Sequence, residues 1–166
     1  SDIKRCNVLY SHFPKVMSKY NSEDLVIIIS AYWEPAIEKM GERKFINEID
    51  KSIKLAKTLT NKVILVGQTP TFNYRVPLAL IRRIDARHSS NHVELSSIDH
   101  RPLNDMLSLL AKENNIGFYD PLETKCNEMS CVVLENGMPL HWDIGHMTHK
   151  GSVFYTKPLI EIIKEL

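Results

Sequence analysis

The chain has 166 residues, of which 43% are hydrophobic and 25% charged, and this composition predicts one globular domain over residues 1–166. Its 21 basic and 20 acidic residues leave a formal net charge of +1, which excludes nucleic acid and anionic membrane surfaces as the main partner. The longest strongly apolar run, Leu25–Ile29, is too short to cross a bilayer. The chain does not begin with Met and carries no signal-peptide pattern, so we expect it to be a piece of a longer protein.

Three short runs predict β-strands. Asp24–Ser30 and Lys62–Gly67 are rich in β-branched residues without polar alternation, as in strands buried on both faces of a parallel sheet, and Ile116–Tyr119 is a weaker third run. Between them, apolar residues recur at helical spacing in two stretches, which are Ile46, Ile49, Ile53 and Ala56, and Leu103, Met106, Leu107, Leu110 and Ala111. Alternating strands and helices predict a three-layer α/β/α domain with a parallel sheet.

In such a sheet, chemistry collects where the strands end at their carboxyl edge. We expect three segments to meet there: Ser30–Trp33, Gly67–Pro70 and His141–Gly151. Trp33 follows a buried strand directly, and such a tryptophan is more often a core residue than a ligand platform.

The His141–Gly151 segment allows a metal site, a catalytic pair or a plain polar loop. A zinc site would need the nitrogen and oxygen ligands of His141, Asp143, His146 and His149, whose spacing does not let them converge, and no distant ligand completes the set. We therefore expect no metal. We expect His149 to face solvent, while His141 either lines an acceptor groove or lies at a strand end.

Asp143 and His146 are spaced for a catalytic pair. An Asp three residues before a His can accept a hydrogen bond from Nδ1–H, which leaves Nε2 free to act as a general base. Thr148 can cap a helix that starts near Lys150, and Gly151 lets that helix pack close to the loop. The D-x-x-H spacing also occurs by chance, so a solvated loop with a structural His is the alternative.

The chain has three cysteines. Cys126 and Cys131 enclose four residues, and their spacing fits a disulfide in an oxidising compartment and two reduced thiols in the cytosol equally well. Cys6 has no evident partner.

The segment Asp143-Ile-Gly-His-Met-Thr-His-Lys-Gly151 resembles the last sequence block of the SGNH hydrolase superfamily, D-x-x-H-[LM]-[ST]-x-x-G. The resemblance covers most of the chain and is strongest to the SGNH domains fused to membrane acyltransferase-3 domains in bacterial O-acetyltransferases. The other segments that carry it are Asp24–Trp33, Lys62–Pro70, Tyr119–Pro121, Cys126, Cys131 and Gly137–Leu140.

The resemblance implies serine chemistry in an SGNH-like α/β/α fold. A serine of an N-terminal Gly-Asp-Ser-His block would attack an acyl donor, with His146 as base and Asp143 orienting it. No such block occurs in this sequence, so we expect the first strand and its nucleophile to be absent and the chain alone to be inactive. The superfamily's oxyanion-hole asparagine aligns with Ala31–Trp33, so Ala31 and Trp33, together with Gln68, are the candidate oxyanion or substrate contacts.

The same resemblance implies the partners and the compartment. The acetyl group would come through the acyltransferase-3 membrane domain of the same polypeptide, and a cell-surface glycan such as the lipopolysaccharide O-antigen would accept it, with no cofactor. The domain would lie in the periplasm or on the extracytoplasmic face of a bacterial inner membrane, where a Cys126–Cys131 disulfide would persist. The alternatives are an SGNH esterase or lipase and a catalytically silent module that binds a glycan or a partner.

Overall fold

The computed structural model describes residues 12–85, 92–127 and 130–165. Residues 12–17 are helical, and Cys6 lies outside the described part. The strands are β1 (Val26–Ile29), β2 (Lys62–Val66), β3 (His92–Ser96), β4 (Gly117–Tyr119), β5 (Ser130–Glu135) and β6 (Met138–Pro139). The helices are α1 (Glu34–Met40), α2 (Glu42–Lys57), α3 (Val76–Asp85), α4 (Arg101–Glu113), α5 (Pro121–Lys125) and α6 (His149–Lys164).

The three predicted strands form a parallel sheet in the order β1-β2-β4. The central strand β2 is the most buried, because helices cover its two faces and strands its two edges. Its successive side chains point to opposite faces, which explains why the run lacks polar alternation. The predicted parallel sheet is confirmed.

The helices lie on both faces of this sheet, so the predicted three layers are also confirmed. Leu65 of β2 packs on one face against Ile53 of α2 and Leu107 of α4, all three with no exposed surface. Ile64, on the opposite face, packs with Leu159 of α6. Each such side chain contributes about 1.5–3 kcal/mol when fully removed from water, so helix packing fixes the sheet between its layers.

A second, antiparallel sheet with the order β3-β5-β6 was not predicted. Its hairpin between β5 and β6 turns at Asn136 and Gly137, both at positive φ (51° and 72°), a backbone conformation that Asn and Gly adopt readily. The Cys126–Cys131 disulfide is present and ties the end of α5 to β5, as expected from the resemblance.

Strand β1 lies at the edge of the parallel sheet among the described residues. Ile28 is 44% exposed there. A groove of about 330 Å³ runs beside the strand and is lined mainly by apolar side chains, among them Phe13, Ile27, Ile29 and Leu55. Exposed apolar edges are uncommon in native sheets because they recruit further strands. Within the described ranges, no helix has both the length and the apolar character needed to span a membrane.

Candidate active site

The loop between β6 and α6 is closed by backbone hydrogen bonds. His141 and Met147 form an isolated β-bridge, and the N–H of Trp142 donates to the carbonyl oxygen of His146 over 2.8 Å. The N–H of Thr148 donates to the Leu140 oxygen over 3.0 Å. Residues 141–147 therefore form a closed turn rather than a loose connection, and we call them the dyad loop.

Asp143 and His146 are brought together by this loop, and we call the two residues the dyad. His146 Nδ1 lies 2.7 Å from Asp143 Oδ2, and Asp143 Oδ1 accepts the backbone N–H groups of Gly145 (2.9 Å) and His146 (2.8 Å). These two backbone hydrogen bonds, and then the one from the His146 side chain, lower the pKa of Asp143 to about 2. The carboxylate is thus ionised at neutral pH, so Nδ1 carries the proton and donates it to Oδ2.

The imidazole of His146 faces solvent. Its side chain is 86% exposed, against 38% for Asp143. With Nδ1 held by the carboxylate, Nε2 has no hydrogen-bond partner in the described part of the chain. The arrangement presents an oriented, accessible base, which is the geometry required for removing a proton from an alcohol.

The dyad loop is anchored on the segment that follows β2. The N–H of Phe72 donates to the Ile144 oxygen over 2.8 Å, and the N–H of Val76 to the Asp143 oxygen over 3.4 Å. A Cβ on Gly145 would lie 3.3 Å from Thr71 Cγ2, so the two segments are in close contact. The histidine-rich loop therefore meets the chain at Thr71, Phe72 and Val76, just after the segment Gly67–Pro70 that was expected to contact it.

Helix α6 starts directly after the dyad loop. The Thr148 hydroxyl accepts the N–H of Gly151 over 3.0 Å and caps the helix, as the sequence predicted. A Cβ on Gly151 would overlap the Leu140 carbonyl oxygen and lie 2.8 Å from its carbonyl carbon. Only glycine permits this approach, so the helix holds the preceding strand end against the loop.

Trp33 and Gln68 are hydrogen-bonded to each other inside the fold. Gln68, with no exposed surface, accepts the backbone N–H groups of Trp33 (2.8 Å) and Glu34 (3.2 Å) through Oε1. The indole N–H of Trp33 donates to the Val66 oxygen over 2.8 Å, and the ring is 7% exposed. Trp33 is therefore the core residue that the sequence predicted, and both of its N–H groups are used within the fold. Ala31, by contrast, is exposed.

A polar cluster beside the dyad loop was not predicted. His100 Nε2 lies 2.5 Å from Thr71 Oγ1 and 3.8 Å from Glu34 Oε2, and the Tyr32 hydroxyl donates to that same carboxylate over 3.1 Å. Burial lowers the pKa of His100 despite the nearby carboxylates of Glu34 and Asp99. No motif joins these residues, which come together only through the carboxyl ends of the strands.

The other histidines of the quoted segment do not converge with His146. His141 is fully buried with neither ring nitrogen hydrogen-bonded within the described part, so it lies at a strand end and does not line a groove. His149 is exposed on the first turn of α6, as predicted. Across residues 12–85, 92–127 and 130–165, no three His, Cys, Asp or Glu side chains are grouped to hold a metal ion.

Comparison with known proteins assigns the chain to a family. No curated protein matches its sequence significantly. A similar solved structure is the periplasmic domain of the Salmonella ser. Paratyphi A lipopolysaccharide acetyltransferase, with 20% identity and a TM-score of 0.57 over 72% of this chain, and the match spans about half (49%) of that longer chain. This likeness supports the fold. The profile of the SGNH domain fused to AT3 domains matches residues 1–161, and the chain therefore belongs to that family.

Proposed function

We propose that this chain is the extracytoplasmic domain of an O-acetyltransferase that transfers an acetyl group to a cell-surface polysaccharide. The observation that carries the proposal is the Asp143–His146 pair, whose 2.7 Å hydrogen bond leaves an exposed Nε2. The family, whose members are fused to AT3 domains, supports a membrane acyltransferase as the partner that delivers the acetyl group. The similar Salmonella structure is itself described as a periplasmic lipopolysaccharide acetyltransferase domain.

The chemistry requires a serine hydroxyl next to His146 Nε2. The imidazole takes the serine proton while Oγ forms a bond to the acetyl carbonyl carbon, and the donor's leaving group then departs with that proton. In the second half, the glycan hydroxyl gives its proton to Nε2, its oxygen bonds to the acetyl carbon, and the serine oxygen leaves and regains a proton. The Asp143 carboxylate stabilises the imidazolium in both halves.

We infer that the serine comes from a segment outside this sequence that pairs with β1 on the side away from β2. The sequence lacks a Gly-Asp-Ser-His block, and among residues 12–85, 92–127 and 130–165 the strand β1 pairs on one side only, with an apolar groove beside it. A parallel strand added at this edge would end next to Ala31, because parallel strands share one carboxyl edge. The Tyr32 hydroxyl, one residue further on, is near enough to Asp143 to sense its charge.

The backbone N–H of Ala31 is our choice of oxyanion donor. The Trp33 N–H groups already have acceptors, and Gln68 is fully buried, whereas Ala31 is exposed in the loop after β1. A preorganised donor of this kind contributes about 3 kcal/mol to the transition state. A backbone donor also explains why a tryptophan-containing loop can replace an asparagine without loss of the site.

The proposal is tested in cells that carry the parent membrane protein, by following labelled acetyl incorporation into surface polysaccharide. His146→Ala should abolish transfer, and Asp143→Asn should reduce it by roughly 10³–10⁴-fold through loss of tautomer control. His149→Ala, an exposed histidine three positions away, is the matched control and should retain transfer. Wild-type transfer by His146→Ala at equal protein level would contradict the role of the imidazole.

The missing serine block favours one competing function, a silent module that binds a glycan or a partner. The same assay separates it: a silent module would give no acetylation that depends on His146. Release of acetate to water from an aryl acetate, with no transfer to polysaccharide in the presence of the membrane domain, would instead indicate an esterase.

A further inference from the structure

Two aromatic side chains near the dyad are exposed. Trp142 directly precedes Asp143 and is 69% exposed, and Tyr32 in the loop after β1 is 52% exposed. Most large aromatic side chains are largely buried in folded proteins, and the other tryptophan, Trp33, follows that rule at 7% exposure. Within the described part of the chain both rings are therefore uncovered, Trp142 in the dyad loop itself and Tyr32 close enough to Asp143 for that charge to act on its hydroxyl.

The backbone of Trp142 and the hydroxyl of Tyr32 are each fixed by a hydrogen bond. The Trp142 N–H donates to the His146 oxygen, so the indole and the imidazole project from one closed turn. The Tyr32 hydroxyl donates to Glu34 Oε2 over 3.1 Å, and Glu34 lies in the first turn of α1. The residues therefore combine flat apolar faces with a carboxylate and a hydroxyl that can exchange hydrogen bonds.

The charge around Tyr32 is negative. Burial, then the hydrogen bond to Glu34, and then the charges of Glu34, Glu38 and Asp143 raise the pKa of the Tyr32 hydroxyl. His100, which faces Glu34, does not offset this charge at neutral pH, because its own pKa is lowered by burial. An anionic ligand placed here would face charges of the same sign.

We propose that Trp142, Tyr32 and Glu34 form the acceptor subsite and that it takes an uncharged sugar ring, stacked on the aromatic faces with its hydroxyls hydrogen-bonded to the Glu34–Tyr32 pair. The inference rests on the proposed function, because the acceptor hydroxyl must reach His146 Nε2. A sugar ring matches this surface since it has an apolar C–H face and a rim of hydroxyl groups. Uronic acids and phosphorylated sugars should bind more weakly, because the carboxylates of Glu34, Glu38 and Asp143 repel them.

The test is binding to this chain, followed by ¹⁵N NMR of its two indole N–H groups, which the Trp142→Phe variant assigns. Maltotriose and mannotriose are the neutral probes, and trigalacturonate is the anionic probe. We expect at least one neutral trisaccharide to shift the Trp142 signal saturably and to leave that of the buried Trp33 in place. Trigalacturonate should bind at least about tenfold more weakly, and Glu34→Gln should narrow that difference because it removes one of the three negative charges.

Tyr32→Ala should weaken neutral-sugar binding by about tenfold. Tyr20→Ala is the matched control, because Tyr20 is 63% exposed but precedes β1. It therefore lies toward the amino-terminal ends of the strands, away from the dyad. The inference is overturned if no neutral probe shifts Trp142, if trigalacturonate binds as tightly, or if Trp142 responds only to lipid vesicles. Sugar binding without His146-dependent acetylation in cells would overturn the proposed function and leave a sugar-binding site with no acceptor role, so the two failures are distinguishable.

Discussion

We expect replacement of His141 by leucine to remove a large part of the protein's sensitivity to acid. The His141 ring has no exposed surface and lies edge-on to Phe72 and Tyr155, at centroid distances of 5.0 and 5.7 Å. Neither nitrogen has a hydrogen-bond partner within the described part. A charge on this ring would be costly, because the ring is buried without hydrogen bonds and the opposing effect of the nearby Asp143 is smaller than that of burial.

The size of the effect follows from the pKa of His141, which burial lowers from 6.5 to about 4. Between pH 6.5 and pH 4, His141 is protonated in the unfolded chain and neutral in the folded chain. The free energy of unfolding therefore decreases as the pH falls from 6.5 toward 4. A shift of this size corresponds to about 3 kcal/mol in total, of which about 2 kcal/mol is lost between about pH 7.5 and pH 5. Leucine has a similar volume and cannot be protonated.

The measurement is urea unfolding of the wild type and His141→Leu at these two pH values. Between pH 7.5 and pH 5, the free energy of unfolding of the variant should fall by about 2 kcal/mol less than that of the wild type. At pH 7.5 the variant should be no less stable than the wild type, because the two ring nitrogens without hydrogen-bond partners are removed. His149→Leu, at an exposed site of the same segment, should retain the wild-type loss. An equal loss in wild type and His141→Leu would refute the assignment of the acid sensitivity to this ring.

Three further changes test how the residues around the dyad loop contribute to the stability of the fold. Reduction of the Cys126–Cys131 bond should cost about 2 kcal/mol, the chain-entropy value for so short a loop, and a double-alanine variant should show no response to reductant in urea unfolding. Gly151→Ala should destabilise the fold by about 1–3 kcal/mol or more because its Cβ overlaps Leu140, whereas the exposed neighbour Lys150→Ala should be nearly neutral; equal melting temperatures would contradict the overlap. Gln68→Leu leaves two N–H groups without an acceptor, so thermal unfolding should reveal a loss of about 1–3 kcal/mol for each group that stays buried.

The sequence was informative where burial imposes a simple pattern. Strands β1 and β2 have apolar side chains in succession because β2 is covered on both faces and β1 packs against α2. The antiparallel sheet was missed because β3 and β5 pair across about 40 residues, for example Val93 with Leu134, and local periodicity does not determine such pairing. The Asn136-Gly137 pair was the signal that could have located the hairpin.

The site likewise contains a local part that could be predicted from the sequence and a long-range part that could not. Asp143 and His146 could be found because their contact spans three residues and depends on one turn. The cluster of Tyr32, Glu34, Thr71 and His100 could not, since the Thr71–His100 contact spans 29 residues and exists only after the strands have aligned. Gln68 was a candidate oxyanion or substrate contact, and in the fold its amide oxygen accepts the backbone N–H groups of Trp33 and Glu34 after β1. A polar side chain at a strand end can contact a substrate or can hydrogen-bond to the backbone, and the sequence alone does not distinguish the two roles.

The dyad is formed by local contacts, and this permits a separate test of stability and activity. Asp143 Oδ1 already satisfies two backbone N–H groups and shapes the turn, while the bond from Oδ2 to the His146 ring is largely in solvent. Even an exposed ion pair contributes only about 0–1 kcal/mol to stability, so a structural need does not account for this exposed hydrogen bond. His146→Ala should therefore change the free energy of unfolding by less than about 1 kcal/mol while it abolishes acetyl transfer. Asp143→Ala should lower the free energy of unfolding more, because the N–H groups of Gly145 and His146 both lose their shared acceptor Oδ1. A loss for His146→Ala as large as that for Asp143→Ala would assign the imidazole to the fold instead of the chemistry.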